Sequence, residues 1–363
     1  MTHGGDLYAI FEKYPEMKGR LTDFSANISP LGMPEGVRQA VIASVDQAIC
    51  YPDPECRQLK VAIAGYIREY YGVNVGPGMI LCGNGAADVI FRLVAAIKPR
   101  RALVCCPTFG EYEEALRPVG CQLEFYRCDH TLSVREDILG HIHSGLDMMF
   151  LCNPNNPTGL LTDPGVIGKI VKKTRETGTI LAADECFLDF CPGEKDFSLI
   201  PLLSQNQHIL VLKSFTKMYG MAGLRLGYGL GGDEGLIGRA GKAGPAWPVN
   251  TLAAAAGIAA LKLRDHPGKV REYVQKERQY LCGALKERKI TFWDSAANYI
   301  LFQVKEPKDL YDRFLKEGIV IRRCFNYRGL DHSFYRAAVN RHEDNEKFVH
   351  ALDNVTKMRG VTE

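Results

Sequence analysis

Four short apolar runs, RALVCCP from residue 101, DMMFLCNP from 147, TILAADE from 179 and HILVLKS from 208, recur between stretches with helical spacing. Each ends in a turn or in polar residues. Because the runs are continuously apolar rather than alternating, they predict strands covered on both faces. Strands that alternate with helices predict a mostly parallel, doubly wound α/β sheet. Ligands of such sheets bind beyond the carboxyl ends of the strands, so the tails of these four runs are where chemistry is sought.

The pattern changes after about residue 245. PAWPVN leads into an alanine-rich helix (TLAAAAGIAALKL), a charged helical stretch (HPGKVREYVQKERQYLCGALKER), the strand candidates TFWDSAANYILFQV and IVIRRC, and a closing helix from about His342. The first forty residues, with HGG and the turn-rich SANISPLGMP, read as an arm packed across two lobes. The expected division is therefore an arm over 1–40, a large domain over 41–245 and a smaller C-terminal α+β domain over 246–363.

Composition narrows the partner. The chain has 363 residues, 46% hydrophobic and 24% charged, with a formal charge of +3, which argues against disorder and against nucleic-acid binding. There is no polybasic patch and no run of about eighteen apolar residues, so no membrane partner is expected. The twelve cysteines are scattered without zinc-type spacing, and they read as buried thiols of a cytoplasmic protein. No metal is expected, and a small molecule is the expected ligand.

The strand tails yield four polar clusters. GNGAAD (83–88) opens a helix whose N–H groups could hold a phosphate, though a simple tight turn reads equally well. NPNNPTG (153–159) is a rigid turn that also puts Asn156 where its amide could donate to a ligand oxygen. DECFLDF (184–190) sets Asp184 at the end of a covered strand, as a structural acceptor or a catalytic carboxylate. In SFTKMYGMAGLRLGY (214–228), Lys217 stands among Ser, Thr, Tyr, Gly and Met, surroundings that could desolvate it into a neutral nucleophile. A lysine, a buried carboxylate, an asparagine after a strand and a helix start together match the needs of pyridoxal 5′-phosphate: an amine for its aldehyde, an acid for its ring nitrogen, and donors for its phosphate.

NPNNPTG, DECFLDF and SFTKMYGMAGLRLGY together resemble the fold type I pyridoxal-phosphate enzymes and, within them, the histidinol-phosphate aminotransferase-like branch. The resemblance covers nearly the whole chain. It implies Lys217 as the lysine bonded to the cofactor aldehyde, Asp184 against the ring nitrogen and Asn156 on the ring 3-oxygen. It further implies Phe109 stacked on the ring, and Ser214, Arg225 and the amides of Gly85 and Ala86 around the phosphate. Tyr51 in CYPDP would reach the phosphate of a neighbouring subunit in a homodimer.

THGGD at the start, DFSANISPLGMP (23–34) and IRRCFNYRGLDHSFYRAAV (321–339) are more similar to L-threonine-O-3-phosphate decarboxylases than to the aminotransferases. This resemblance implies that Arg322 and Arg336 hold anionic groups of a phosphorylated amino acid, while His3, Gly4 and Asn27 close the site. It implies release of carbon dioxide and formation of (R)-1-amino-2-propanol O-2-phosphate in cobalamin synthesis. Phe187 supports it, since the aminotransferases usually carry a tyrosine there that donates to the ring 3-oxygen. Arg322 and Arg323 are neighbours on a strand and should face opposite sides, so one of them is expected to enter the site. A histidinol-phosphate-type aminotransferase and a non-catalytic pyridoxal-phosphate binder are the competing readings.

Overall fold

The structure is a computed structural model that describes residues 4–356. The four apolar runs form neighbouring strands of one seven-stranded sheet. In chain order its strands are β1 (Ile80–Gly83), β2 (Arg101–Cys106), β3 (Gln122–Arg127), β4 (Met148–Cys152), β5 (Ile180–Asp184), β6 (Ile209–Ser214) and β7 (Gly227–Gly231). Their spatial order is β1-β7-β6-β5-β4-β2-β3. Every residue of β4 and β6 is buried, as expected for strands covered on both faces.

The sheet is not wholly parallel. β7 runs antiparallel to both β6 and β1. A parallel return needs a crossover, usually a helix. Here the segment between β6 and β7 is occupied by the short helix Phe215–Met218 and the turn Ala222–Leu224, which form the lysine loop instead.

Helices flank the sheet, among them α1 (Ala86–Ile97) and α2 (Pro164–Thr177). The alanine-rich run becomes α3 (Thr251–Ala260), the charged run α4 (His266–Glu287) and the closing helix α5 (His342–Thr356). Their starts follow local chemistry. The Asp163 carboxylate accepts from the amides of Gly165 and Val166 ahead of α2, with Pro164 in the first turn, and Asn250 caps α3 by accepting from Ala253.

Two strand candidates of the C-terminal third divide. TFWDSAANYILFQV breaks between β8 (Thr291–Phe292) and β9 (Tyr299–Gln303), which pair antiparallel, because its polar middle forms the bend. IVIRRC serves two sheets: Ile319–Val320 pairs in parallel with Thr22–Asp23, whereas β10 (Arg322–Arg323) pairs with β11 (Phe334–Ala338). The second sheet has the order β10-β11-β9-β8.

The segment from Thr22 to Pro30 binds to both sheets. Phe24 donates to the Val320 carbonyl at 2.7 Å and accepts from Ala338 at 2.8 Å, while its ring packs 5.0 Å from that of Phe348 on α5. A few residues on, the Ser29 amide donates to the carbonyl of Lys217 at 2.9 Å. All twelve cysteines are free thiols, and the eight buried ones act as small hydrophobes. Among the described residues there is no cluster suited to a metal ion and no helix long and apolar enough to cross a membrane.

Candidate active site

The carboxyl ends of β4, β5 and β6, the start of α1 and the arm enclose one cavity of about 430 Å³. Its wall includes Gly4, Asn27, Gly85, Ala86, Phe109, Asn156, Asp184, Phe187, Ser214, Lys217, Arg225, Arg322 and Arg336. Sequence positions from 4 to 336 thus converge, as the strand-tail rule requires.

Lys217 lies one turn past the end of β6, where Ser214 caps the short helix by accepting from the Thr216 amide at 3.3 Å. Its Nζ donates to Thr216 Oγ1 at 2.8 Å and stands 5.7 Å from the centre of the Phe187 ring. Burial lowers its pKa and the cations Arg225 and Arg336 push the same way, against the opposing pull of Cys186 and Asp184. The amine therefore becomes neutral, and nucleophilic, more readily than an exposed lysine.

Asp184 closes β5. Its Oδ2 accepts from the Tyr112 hydroxyl at 2.6 Å and its Oδ1 from the Cys186 amide at 3.0 Å. Tyr112 is fully buried and stacked on Phe150 at 4.5 Å, so the donor is rigid, and burial raises its pKa well above the usual value. A carboxylate offers about four lone-pair sites, which leaves room for one more donor from the cavity.

The three asparagines of NPNNPTG divide their labour. Asn153 Oδ1 accepts from the Thr162 amide at 2.8 Å. Asn155 ties the loop to the Phe109 segment, donating to the Pro107 carbonyl at 2.9 Å and accepting from Thr108 Oγ1 at 2.7 Å. Asn156 faces the cavity, and its Oδ1 accepts from both Arg336 Nη1 and the Tyr327 hydroxyl. What it can offer a ligand is therefore its NH2 group.

The start of α1 is built around a close approach. Gly85 is its N-cap with φ 86° and ψ 166°, a conformation essentially confined to glycine. A Cβ there would fall 2.6 Å from Arg225 Nη2. The unblocked helix start, the guanidinium and the hydroxyls of Ser214 and Thr216, which lie 2.6 Å apart, form a cradle of donors that fits a phosphate. With Asp184 placed for a ring N–H and Phe109 in the wall, the residues present fit pyridoxal phosphate.

Arg322 and Arg336 come together on adjacent strands, paired across β10 and β11. Alternation along β10 sends Arg322 to the cavity, whereas Arg323 stacks over the rings of Tyr311 at 4.3 Å and Phe325 at 5.7 Å. Arg336 is buried, and among the described residues its hydrogen bonds run to neutral oxygens: Asn156 Oδ1, the Ser25 carbonyl at 3.1 Å and the Tyr327 hydroxyl at 3.4 Å. Among the described residues its Nε and the Oδ1 of the wall residue Asn27 find no partner.

Tyr51 lies outside this cavity, 81% exposed and stacked on Trp247 at 4.5 Å. His3 lies outside the described residues. Sequence reasoning did not reach Tyr112, Thr216, Tyr327 or Ser25. Tyr112 had a signal, since it follows Phe109 by three residues at a helix start and so shares a face with it. Tyr327 sits inside FNYRGL, where the flanking arginines drew the attention.

The sequence pattern of the family described as aminotransferase class I and II matches residues 20–352. The threonine-phosphate decarboxylase of Salmonella typhimurium is 37% identical over 97% of this chain and 96% of its own. A histidinol-phosphate aminotransferase from Methanococcoides burtonii is 31% identical over 97% and 95%. In three dimensions the histidinol-phosphate aminotransferase of Clostridium acetobutylicum superposes with a TM-score of 0.84 at 28% identity, covering 92% of this chain and 98% of that one. The chain belongs to the aminotransferase class I and II family of pyridoxal-phosphate enzymes, with the fold type I architecture.

Proposed function

We propose that this protein decarboxylates L-threonine O-3-phosphate to (R)-1-amino-2-propanol O-2-phosphate and carbon dioxide, a step of cobalamin synthesis in the cytoplasm. The observation that carries the reading is the charge of the cavity wall. Among the described residues Lys217, Arg225, Arg322 and Arg336 share this wall with two carboxylates, Asp23 and Asp184. A buried guanidinium such as that of Arg336, whose hydrogen bonds among the described residues run to neutral oxygens, calls for an anionic ligand. After Arg225 is assigned to the cofactor phosphate, two arginines remain in the wall, and threonine phosphate brings two anionic groups, a carboxylate and a phosphate. The similarity to the Salmonella enzyme over nearly the full chain supports the same choice.

Pyridoxal phosphate, when bound, supplies an aldehyde that condenses with amines and a protonated ring that accepts the electron pair left on a substrate α-carbon. Lys217 would hold the aldehyde of the bound cofactor, and Asp184, steadied by Tyr112, would keep its ring nitrogen protonated. Asn156 would donate to the ring 3-oxygen, Phe109 would pack on the ring face, and Ser214, Thr216, Arg225 and the Gly85 and Ala86 amides would hold the phosphate. Arg322 and Arg336 would orient the substrate, with Gly4 and Asn27 of the cavity wall beside it, so that the bond to the carboxylate is the one that breaks. Lys217 then returns a proton to the α-carbon.

The same reading divides the chain into an arm over 1–40, a cofactor-binding part over 41–245 and a smaller part over 246–363. It also takes the protein as a homodimer. Exposed Ile42, Val45, Ile49 and the stacked pair Tyr51 and Trp247 support that choice, as apolar residues for a second copy to cover.

The test is carbon dioxide release from L-threonine O-3-phosphate by protein loaded with pyridoxal phosphate, without an oxo acid, beside Lys217→Ala. Release that the variant lacks is expected. Glutamate formation from histidinol phosphate and 2-oxoglutarate without carbon dioxide release would replace this reading with an aminotransferase.

A further inference from the structure

In this cavity the residue that stands where the aminotransferases carry a tyrosine is Phe187, which packs edge-on against Tyr299 at 5.0 Å and offers no hydroxyl. Asn156 is then left to donate to the ring 3-oxygen through its NH2 group. An asparagine amide can turn end for end, and a turned amide would present its oxygen, an acceptor, to an anionic oxygen. The orientation must therefore be fixed from behind.

Tyr327 is built to do this. Its hydroxyl lies 3.1 Å from Asn156 Oδ1 and 3.4 Å from Arg336 Nη1, so it donates to the amide oxygen while accepting from the guanidinium. Its ring is anchored in a small buried cluster with Leu132, Leu301 and Cys324, under the guanidinium of Arg322 at 5.6 Å. Its backbone closes a turn onto the Cys324 carbonyl at 3.0 Å. Burial raises its pKa, so it stays protonated and able to donate across the working range.

We propose that Tyr327 is a positioning residue that locks the Asn156 amide with its NH2 group toward the ring 3-oxygen and ties that amide to Arg336, making up for the hydroxyl missing at Phe187. The inference rests on the reading of Asn156 as the donor to that oxygen. A donor there stabilises the anionic oxygen most once the lysine linkage has lost its proton, and so lowers the pH at which the linkage titrates.

The experiment is a spectrophotometric pH titration of the visible absorbance of holoenzyme, comparing wild type, Tyr327→Phe, Asn156→Ala and the double variant. Phenylalanine keeps the ring in its cluster, and a thermal melt checks that each variant is folded. We expect Tyr327→Phe to raise the titration midpoint by about half a unit and Asn156→Ala to raise it by more, the double variant matching Asn156→Ala alone. Asn156→Ala shifting while Tyr327→Phe matches wild type would overturn the role of Tyr327 and leave Asn156 standing. If neither shifts, the assignment of Asn156 to the 3-oxygen is wrong and the proposal goes with it. Additive shifts would mean that Tyr327 acts by a route other than Asn156, which also overturns it.

Discussion

Replacing Gly85 by alanine tests the phosphate cradle at its tightest point. The backbone there has φ 86° and ψ 166°, where a residue with a Cβ costs about 1–3 kcal/mol. That strain is present with or without cofactor, so it should appear as lower stability of the apoprotein. The new methyl group creates a second effect. It would lie 2.6 Å from Arg225 Nη2, about 1 Å inside ordinary carbon contact distance, so the guanidinium must retreat by a similar amount. A hydrogen bond to a charged group contributes about 1.5–3 kcal/mol. Losing it would weaken pyridoxal-phosphate binding roughly tenfold to 150-fold. Absorbance titration of apoprotein with the cofactor measures the affinity, and a urea melt of the same apoprotein measures the strain. A variant that is destabilised yet binds within twofold of wild type would refute Arg225 as a phosphate ligand, because the steric conflict would then be present without the loss it should cause.

Other consequences can be checked separately. Glu185, buried behind Asp184, accepts from the Leu199 amide and Ser198 Oγ, and burial raises its pKa to about 7 against the pull of Lys213, whose Nζ is 4.0 Å away. A raised carboxyl stabilises the fold below its unfolded value and loses that contribution as pH rises through 7. Glu185→Gln should therefore remove up to about 3 kcal/mol of pH dependence between pH 4.5 and 8, read from urea midpoints, and an unchanged slope would clear Glu185. Tyr112→Phe removes the buried donor to Asp184 and should lower apoprotein stability by about 1.5–3 kcal/mol in urea unfolding; no change would mean that another donor takes its place. Arg336→Lys keeps the charge but loses the fork to Asn156 and Ser25, so kcat/KM for threonine phosphate should fall roughly 30-fold or more, and a smaller loss would place the substrate anion elsewhere.

The parts of the fold legible in the sequence were those written in one stretch of chain. β2, β4, β5 and β6 are continuous apolar runs, and their tails carry Asn156, Asp184 and Lys217 into the cavity. β7 was not legible, because GYGLG lacks the β-branched residues that mark a strand. Its glycines serve packing instead: a Cβ on Gly229 would sit 2.8 Å from Val89 of α1. The division of IVIRRC between two sheets was hidden as well, since it depends on Thr22–Asp23 arriving beside Ile319–Val320. Alternation did foretell that Arg322 and Arg323 part company, but which one faces the cavity is set by the pairing of β10 with β11. Tyr327 matters through a partner 171 residues away, and no local pattern encodes such a distance.

The bonds made by the segment from Thr22 to Pro30 also bear on the order of assembly. During synthesis this segment leaves the ribosome before its partners, so Ser29 must wait for Lys217, and Phe24 and Ser25 for Ala338 and Arg336. Contacts between such distant residues form late, because a long loop must close before they yield any stabilisation. The segment from Thr22 to Pro30 thus takes its place in the cavity wall only after the chain has been made as far as Ala338.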